Sequence, residues 1–193
     1  MPRDPLDRYY TPDALAEACL RFMEKELRYP PPLTVYEPCA GGGAFGRAAM
    51  RLRPQTTVRG CDPDPEAAPG YPVDRCTVED WQPPVAQCAV FTNPHYANVY
   101  DTIRTLRDLQ WRTGAFYLGL LLRATTVEHL MHSGDPPFVL AVSRQRPRWG
   151  GPAGAALTSS DTCGSVWALW HAEFSTNTTI HALPDWRPRG RHG

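Results

Sequence analysis

The stretch "VYEPCAGGGAFGRA", Val35 to Ala48, decides the fold. An apolar, β-prone run ends in Glu-Pro, a cluster of glycines follows, and alanine-rich helical sequence begins at once. A strand that turns tightly into a helix at glycines is the opening unit of a parallel α/β sheet, with amide N–H groups gathered at the helix N-terminus. Working outward, "TPDALAEACLRFMEKEL" (Thr11 to Leu27) places Leu15, Ala18, Cys19, Phe22 and Met23 at helical spacing. Thr11 is the expected N-cap, with Pro12 at the first helical position. The prolines of "RYPPPL" stop that helix. Strands are expected at "TVRGCDPD", "VAQCAVFTN", "AFYLGLLLRA" and "PFVLAVSRQ", and helices over "ANVYDTIRTLRDLQ" and "TVEHLMHS". Such alternation predicts a mostly parallel sheet covered on both faces. "SVWALWHAEF" and "TTIHAL" have no helix between them and predict an antiparallel finish.

A chain of 193 residues is expected to form one domain, residues 1–186, followed by a flexible arginine-rich tail, 187–193. "MPRDPLDRYY" has no apolar run of the signal-peptide kind, and Ala115 to Leu122 is too short to span a bilayer. The six cysteines show no Cys-x-x-Cys pair or zinc-like spacing, so free thiols, a reducing intracellular compartment and no metal are expected. His129 and His132 lie three apart with no third ligand in sight.

The formal net charge is zero, which argues against coating nucleic acid by bulk electrostatics. Lys25 is the only lysine, and arginines concentrate late, in "RQRPRW" and "RPRGRHG". Arg144, Arg146 and Arg148 at a strand end, with the small-residue loop after Trp149, are candidates for nucleic-acid contact; a solvated edge that blocks strand pairing is the plainer reading.

Ligands of open α/β sheets bind beyond the carboxyl ends of the strands, and three features fall there. Gly41 and Gly43 permit close backbone approach, which alone serves NAD, a phosphate or only a turn. Glu37, four residues before Gly41, is a poor neighbour for pyrophosphate and a good one for an ammonium group, which favours S-adenosylmethionine. Asp62 in "GCDPD" suits ribose hydroxyls. In "VEDW", Asp80 suits an adenine amino group, and Trp81 either flanks that ring or packs in the core.

The run from "YYTP" through "VYEPCAGGGAFGRA", "GCDPDPEA", "VEDW" and "FTNPHY" resembles the adenine-type, amino-group DNA methyltransferases, over about the first half of the chain. "RPRWGGPAG" and "SSDTCGSVWALW" resemble, more weakly, the tail of small phage-type members. The resemblance implies a Rossmann-like class I methyltransferase fold, α/β, with an antiparallel C-terminal strand, and a cytoplasmic enzyme of prokaryotic or phage origin. It implies that Thr11 touches the carboxylate end of S-adenosylmethionine, that Glu37, Gly41 and Gly43 line its methionine side, and that Asp62 holds the ribose and Asp80 the adenine. Phe45 packs on the cofactor or within the helix layer.

In the loop "NPHY", Asn93 and the Pro94 carbonyl would accept from the target amino group and Tyr96 would stack on the base. His95 replaces the proline of the family's Asn-Pro-Pro-Tyr, either as a substrate-facing group or as a tolerated variant. Related folds with such loops also methylate RNA and protein glutamine, and a non-catalytic relic is the third reading. DNA is the expected partner, with specificity supplied by a protein partner where the chain lacks a recognition domain.

Overall fold

The computed structural model describes residues 9–28, 32–84, 87–96, 99–132, 134–147, 163–173 and 177–187. Eight strands form one sheet in the order β3-β2-β1-β4-β5-β7-β6-β8. The first part of the chain gives α1 (Asp13–Lys25), β1 (Thr34–Pro38), α2 (Ala44–Leu52), β2 (Thr57–Cys61) and β3 (Val73–Asp74). Then come β4 (Cys88–Thr92), α3 (Val99–Thr113), β5 (Tyr117–Arg123), a 3-10 turn (Ala124–Thr126) and α4 (Val127–His132). β6 (Val139–Ser143), β7 (Ser165–His171) and β8 (Thr179–Leu183) complete the sheet. No helix among the described residues is long and apolar enough to cross a membrane.

β1 pairs in parallel with β2 and β4, and β4 with β5. The antiparallel strand is β7, between β5 and β6. β8 lies outside β6 and parallel to it, so the antiparallel finish expected from the sequence belongs to β7, and the last strand turns back in line with the others. The short β3, too brief for any periodicity, was not legible in the sequence.

Strand residues alternate between two cores. Val35, Ala89, Phe91, Leu121, Trp167 and Leu169 pack beneath α1 and α2, while Tyr36, Val90, Leu118, Leu120, Val166 and Trp170 face α3. Gly119 on β5 leaves room for the Trp167 indole, because a Cβ there would sit 2.3 Å from its Cζ2. Helix α1 starts one residue later than expected: Pro12 is its N-cap, and Thr11 lies outside without capping it. Asp13, in its first turn, accepts from Arg47 and, at 3.0 Å, from Arg51, tying α1 to α2 above β1. That clamp fixes where the segment before α1 crosses the sheet edge.

Candidate active site

The carboxyl ends of β1, β2 and β4 meet at one edge, and the N-terminal segment crosses it. Two small cavities, of about 40 and about 30 Å³, share Tyr9, Tyr10, Cys39, Gly41 and Asn93 in their walls. The first adds Asp62, Asp64 and Pro94 to Tyr96; the second adds Thr11, Glu37 and Gly43. The structure therefore brings together residues from four separate stretches of chain that the sequence had singled out.

The loop after β1 alternates in handedness. Cys39, Gly41 and Gly43 all have positive φ, at 53°, 47° and 77°. Gly43 then serves as the N-cap of α2. Such alternation turns successive amides toward one side, the geometry of an anion-binding nest. Here the nest is met by side chains of the protein itself. Asp62 Oδ2 accepts from the Gly41 amide at 2.7 Å, and its Oδ1 accepts from the Asp64 amide at 2.9 Å. Glu37, buried behind the loop, accepts from the Phe45 and Gly46 amides at 3.1 and 2.6 Å and from the Tyr71 hydroxyl. Glu37 thus takes the first amides of α2, the N–H groups a phosphate at this helix N-terminus would use.

Burial pushes the Glu37 carboxyl from its ordinary 4.5 up to about 7, even though Tyr71, Gly46 and Phe45 all donate to it. A raised carboxyl pKa means that the fold favours the protonated form. Its contribution to stability is complete below about pH 4.5 and is lost as the pH rises through about 7. The melting temperature should accordingly fall across that window, and Glu37→Gln should flatten the fall. Thermal denaturation across the range checks this; an equal slope in the variant would remove Glu37 as its cause.

At the end of β4, the Asn93 amide is held at both ends. Its Nδ2 donates to the Tyr9 carbonyl at 3.1 Å and its Oδ1 accepts from the Tyr96 hydroxyl at 2.6 Å. A carbonyl only accepts, so Tyr9 fixes the nitrogen on its side and turns Oδ1 toward Tyr96. The Leu121 carbonyl lies 3.3 Å from the same Tyr96 hydroxyl, a second acceptor for its one proton that anchors the ring against β5. Half-buried His95 lines the larger cavity beside Cys39, and it has the backbone N–H that a proline at this position would lack.

Other expected residues lie elsewhere. Asp80 is exposed and accepts from the Thr77 hydroxyl at 3.0 Å, and it lines neither cavity. Trp81 is a core residue, edge-on to Tyr36 at 5.5 Å, with its indole donating to Asp74 at 2.7 Å. Phe45 is fully buried and stacks on Trp167, so it supports the loop from behind. Arg144 and Arg146 are exposed just beyond β6. Arg148 and the loop after Trp149 lie outside the described residues, as does the tail beyond Arg187.

Four contributors were missed. Tyr9 and Tyr10 stand beside Thr11 in "YYTP", where the doubled tyrosine was the available signal. Asp64 lines the larger cavity, and its buried Oδ2 has no partner among the described residues. Tyr71 reaches Glu37 from 34 residues away, with no local signal at all. Among the described residues no arginine or lysine lines either cavity, whereas Glu37, Asp62 and Asp64 do. A larger groove of about 470 Å³ lies between α3 and α4, but Arg104 and Arg107 are matched there by Asp108 and Asp135.

No protein-family profile matches the chain, and no curated protein does. Among solved structures, the type I restriction-modification methyltransferase subunit from Streptococcus thermophilus superposes with a TM-score of 0.60 at 14% identity, covering 86% of this chain. This chain spans 45% of that subunit. A protein from Pyrococcus horikoshii assigned as an RNA methyltransferase gives a TM-score of 0.61 at 14% identity, covering 86% of this chain and 85% of that one. A 23S rRNA methyltransferase gives 0.59 at 12% identity, over 86% and 71%. The chain has the Rossmann-like fold of the class I methyltransferases.

Proposed function

We propose that the chain is an S-adenosylmethionine-dependent methyltransferase acting on an exocyclic amino group, that of adenine in DNA. The observation that carries this reading is the Asn93 amide, oriented by the Tyr9 carbonyl so that Oδ1 meets Tyr96 in a cavity shared with Gly41 and Asp62. The cavity walls support the cofactor: the carboxyl groups of Glu37, Asp62 and Asp64, with no arginine or lysine beside them among the described residues, suit a ligand with an ammonium and a sulfonium and oppose a pyrophosphate. Asp62 and Asp64, whose Oδ2 has no partner among the described residues, stand ready as acceptors for ribose or adenine, and Asp64 would take the adenine-side role expected of Asp80. Thr11, Glu37, Gly41 and Gly43 would hold the methionine end. Ligand pockets run to roughly 300–1,000 Å³, so entry requires the Tyr10 ring to leave the loop, where it lies 3.0 Å from the place of a Gly41 Cβ.

When bound, the cofactor supplies an electrophilic methyl group. The chain's part is to prepare the nucleophile. Asn93 Oδ1 and the Pro94 carbonyl accept from the two amino hydrogens, drawing the nitrogen toward sp³ and freeing its lone pair. The freed lone pair would face the methyl group that the cofactor would supply, and the methylated nitrogen would shed its extra proton to solvent. Tyr96 stacks on the base, a contact worth about 1–3 kcal/mol, once the base has left the duplex. Arg144 and Arg146 lie at the same sheet edge and would meet the backbone, with a partner protein supplying recognition of longer sequences.

The test is methyl transfer from labelled S-adenosylmethionine to duplex DNA, single-stranded DNA, RNA and protein extract, followed by digestion to nucleosides or amino acids. Label in N6-methyladenine of DNA is expected. Label confined to RNA or to glutamine would overturn the DNA assignment, and cofactor binding without transfer would mark a relic.

A further inference from the structure

Resting on that reading, we propose that Arg123 is a substrate-positioning residue, the cation that holds the phosphate beside the adenine stacked on Tyr96. Arg123 is the last residue of β5, at the carboxyl edge where the Asn93 loop leaves β4. Its guanidinium lies over the Tyr96 ring, with Cζ 4.8 Å from the ring centroid. The ring cannot drift from beneath it, because the Tyr96 hydroxyl is tied to Asn93 and to the Leu121 carbonyl of the same strand.

A planar cation on an aromatic face is a favourable pair, and its chemistry selects among substrates. A nucleotide whose base stacks on Tyr96 brings its own phosphodiester to the side of that ring, within the span of one arginine side chain. The guanidinium fork binds phosphate oxygens in two-point fashion. A glutamine side chain brings no anion there.

A second polar group stands at the same level. The antiparallel register of β5 and β7 pairs Arg123 with Ser165, which places both side chains on one face of the sheet. Ser165 is fully buried, and its Oγ has no partner among the described residues. A buried hydroxyl without a partner is costly unless a ligand meets it. Arg123 and Ser165 thus sit side by side at the carboxyl end of β5, one charged and one neutral group.

The experiment compares the full-length chain with Arg123→Gln and Arg123→Lys. Binding of a fluorescent adenine-containing oligonucleotide is followed by anisotropy over a salt series with S-adenosylhomocysteine present, and methyl transfer is followed in parallel. For Arg123→Gln, oligonucleotide affinity should fall about tenfold and the slope of log affinity against log salt should shrink by about one. Cofactor affinity should not change. Arg123→Lys should restore the slope and only part of the affinity, since an ammonium lacks the planar fork.

An unchanged affinity and slope in Arg123→Gln overturns the proposal while leaving adenine methylation by the parent chain intact. A lower turnover with the parental salt slope overturns it as well, making Arg123 a mere support for Tyr96. A parent chain that binds no oligonucleotide and labels only protein overturns both this assignment and the adenine reading.

Discussion

Asn93→Ala is expected to lower methyl transfer on the order of 10²–10³-fold while leaving S-adenosylmethionine affinity close to that of the parent chain. The magnitude is that of removing one pre-positioned hydrogen-bonding group from an active site. The selectivity follows from geometry. Asn93 contributes its amide to the wall between the cofactor loop and Tyr96, whereas Asp62, Asp64 and the loop itself stay in place without it. The Tyr96 hydroxyl keeps the Leu121 carbonyl as a partner, so the ring is not set loose. Asn93→Asp should fail too, although it keeps an oxygen in place. The Tyr9 carbonyl now accepts from Nδ2 at 3.1 Å, and a carboxylate oxygen in that position would face it without a proton to share. The parallel measurements are single-turnover transfer rates and cofactor titration on all three proteins. An Asn93→Asp variant of near-parental rate would show that Tyr9 does not set the amide's orientation.

The fold was legible because its signals are local. The β1-loop-α2 unit, the five apolar residues of α1 and the alternation that follows are each readable within one or two turns or strands. The direction of β8 was not, since a parallel strand beside β6 is decided by where the connection after β7 crosses the sheet. The site divides in the same way. Gly41, Gly43, Asp62 and Asn93 come together at the cavities because each ends or follows a strand of the same edge, which local sequence shows. Asp80 and Trp81 were expected at a strand end, but they lie in the chain between β3 and β4, away from both cavities: the Trp81 indole donates to Asp74 and the ring packs in the core, the alternative its sequence left open. Glu37 shows a different limit. It lines the smaller cavity as expected of its position, yet its two oxygens are taken by α2 amides and by Tyr71, a partner no spacing announces. The charge it offers a ligand is therefore set by burial as much as by sequence.

Gly43→Ala should be the most damaging single-methyl change in the site, lowering the melting temperature by roughly 5–15 °C and abolishing cofactor binding in the folded remainder. Gly43 has φ +77°, and a Cβ there would lie 2.4 Å from the Pro69 Cβ, 2.6 Å from its Cα and 2.7 Å from its carbonyl oxygen. Two of those atoms are backbone, so no rotamer relieves the clash. The left-handed conformation costs an alanine roughly 1–2 kcal/mol, and forced overpacking adds about 1–3 kcal/mol. In a domain of this size each kcal/mol moves the melting point by roughly 2–4 °C. The loop has little means of yielding locally. The Gly43 amide donates to the Ala40 carbonyl at 2.6 Å, and the Gly43 carbonyl accepts from the Arg47 amide at 3.0 Å, so a shift reaches both the nest and the first turn of α2. The turn carries the Phe45 and Gly46 amides that satisfy buried Glu37, and the nest carries the Gly41 amide that orients Asp62. Gly42→Ala is the control one residue away. Its backbone has no positive φ, and the nearest atoms its Cβ would meet belong to the Tyr10 side chain, the ring at 3.2 Å. That ring has to move for a ligand in any case, so the control should melt within about 2–4 °C of the parent, a change of about one kcal/mol. Equal losses in the two variants would mean that the Pro69 contact does not hold the loop.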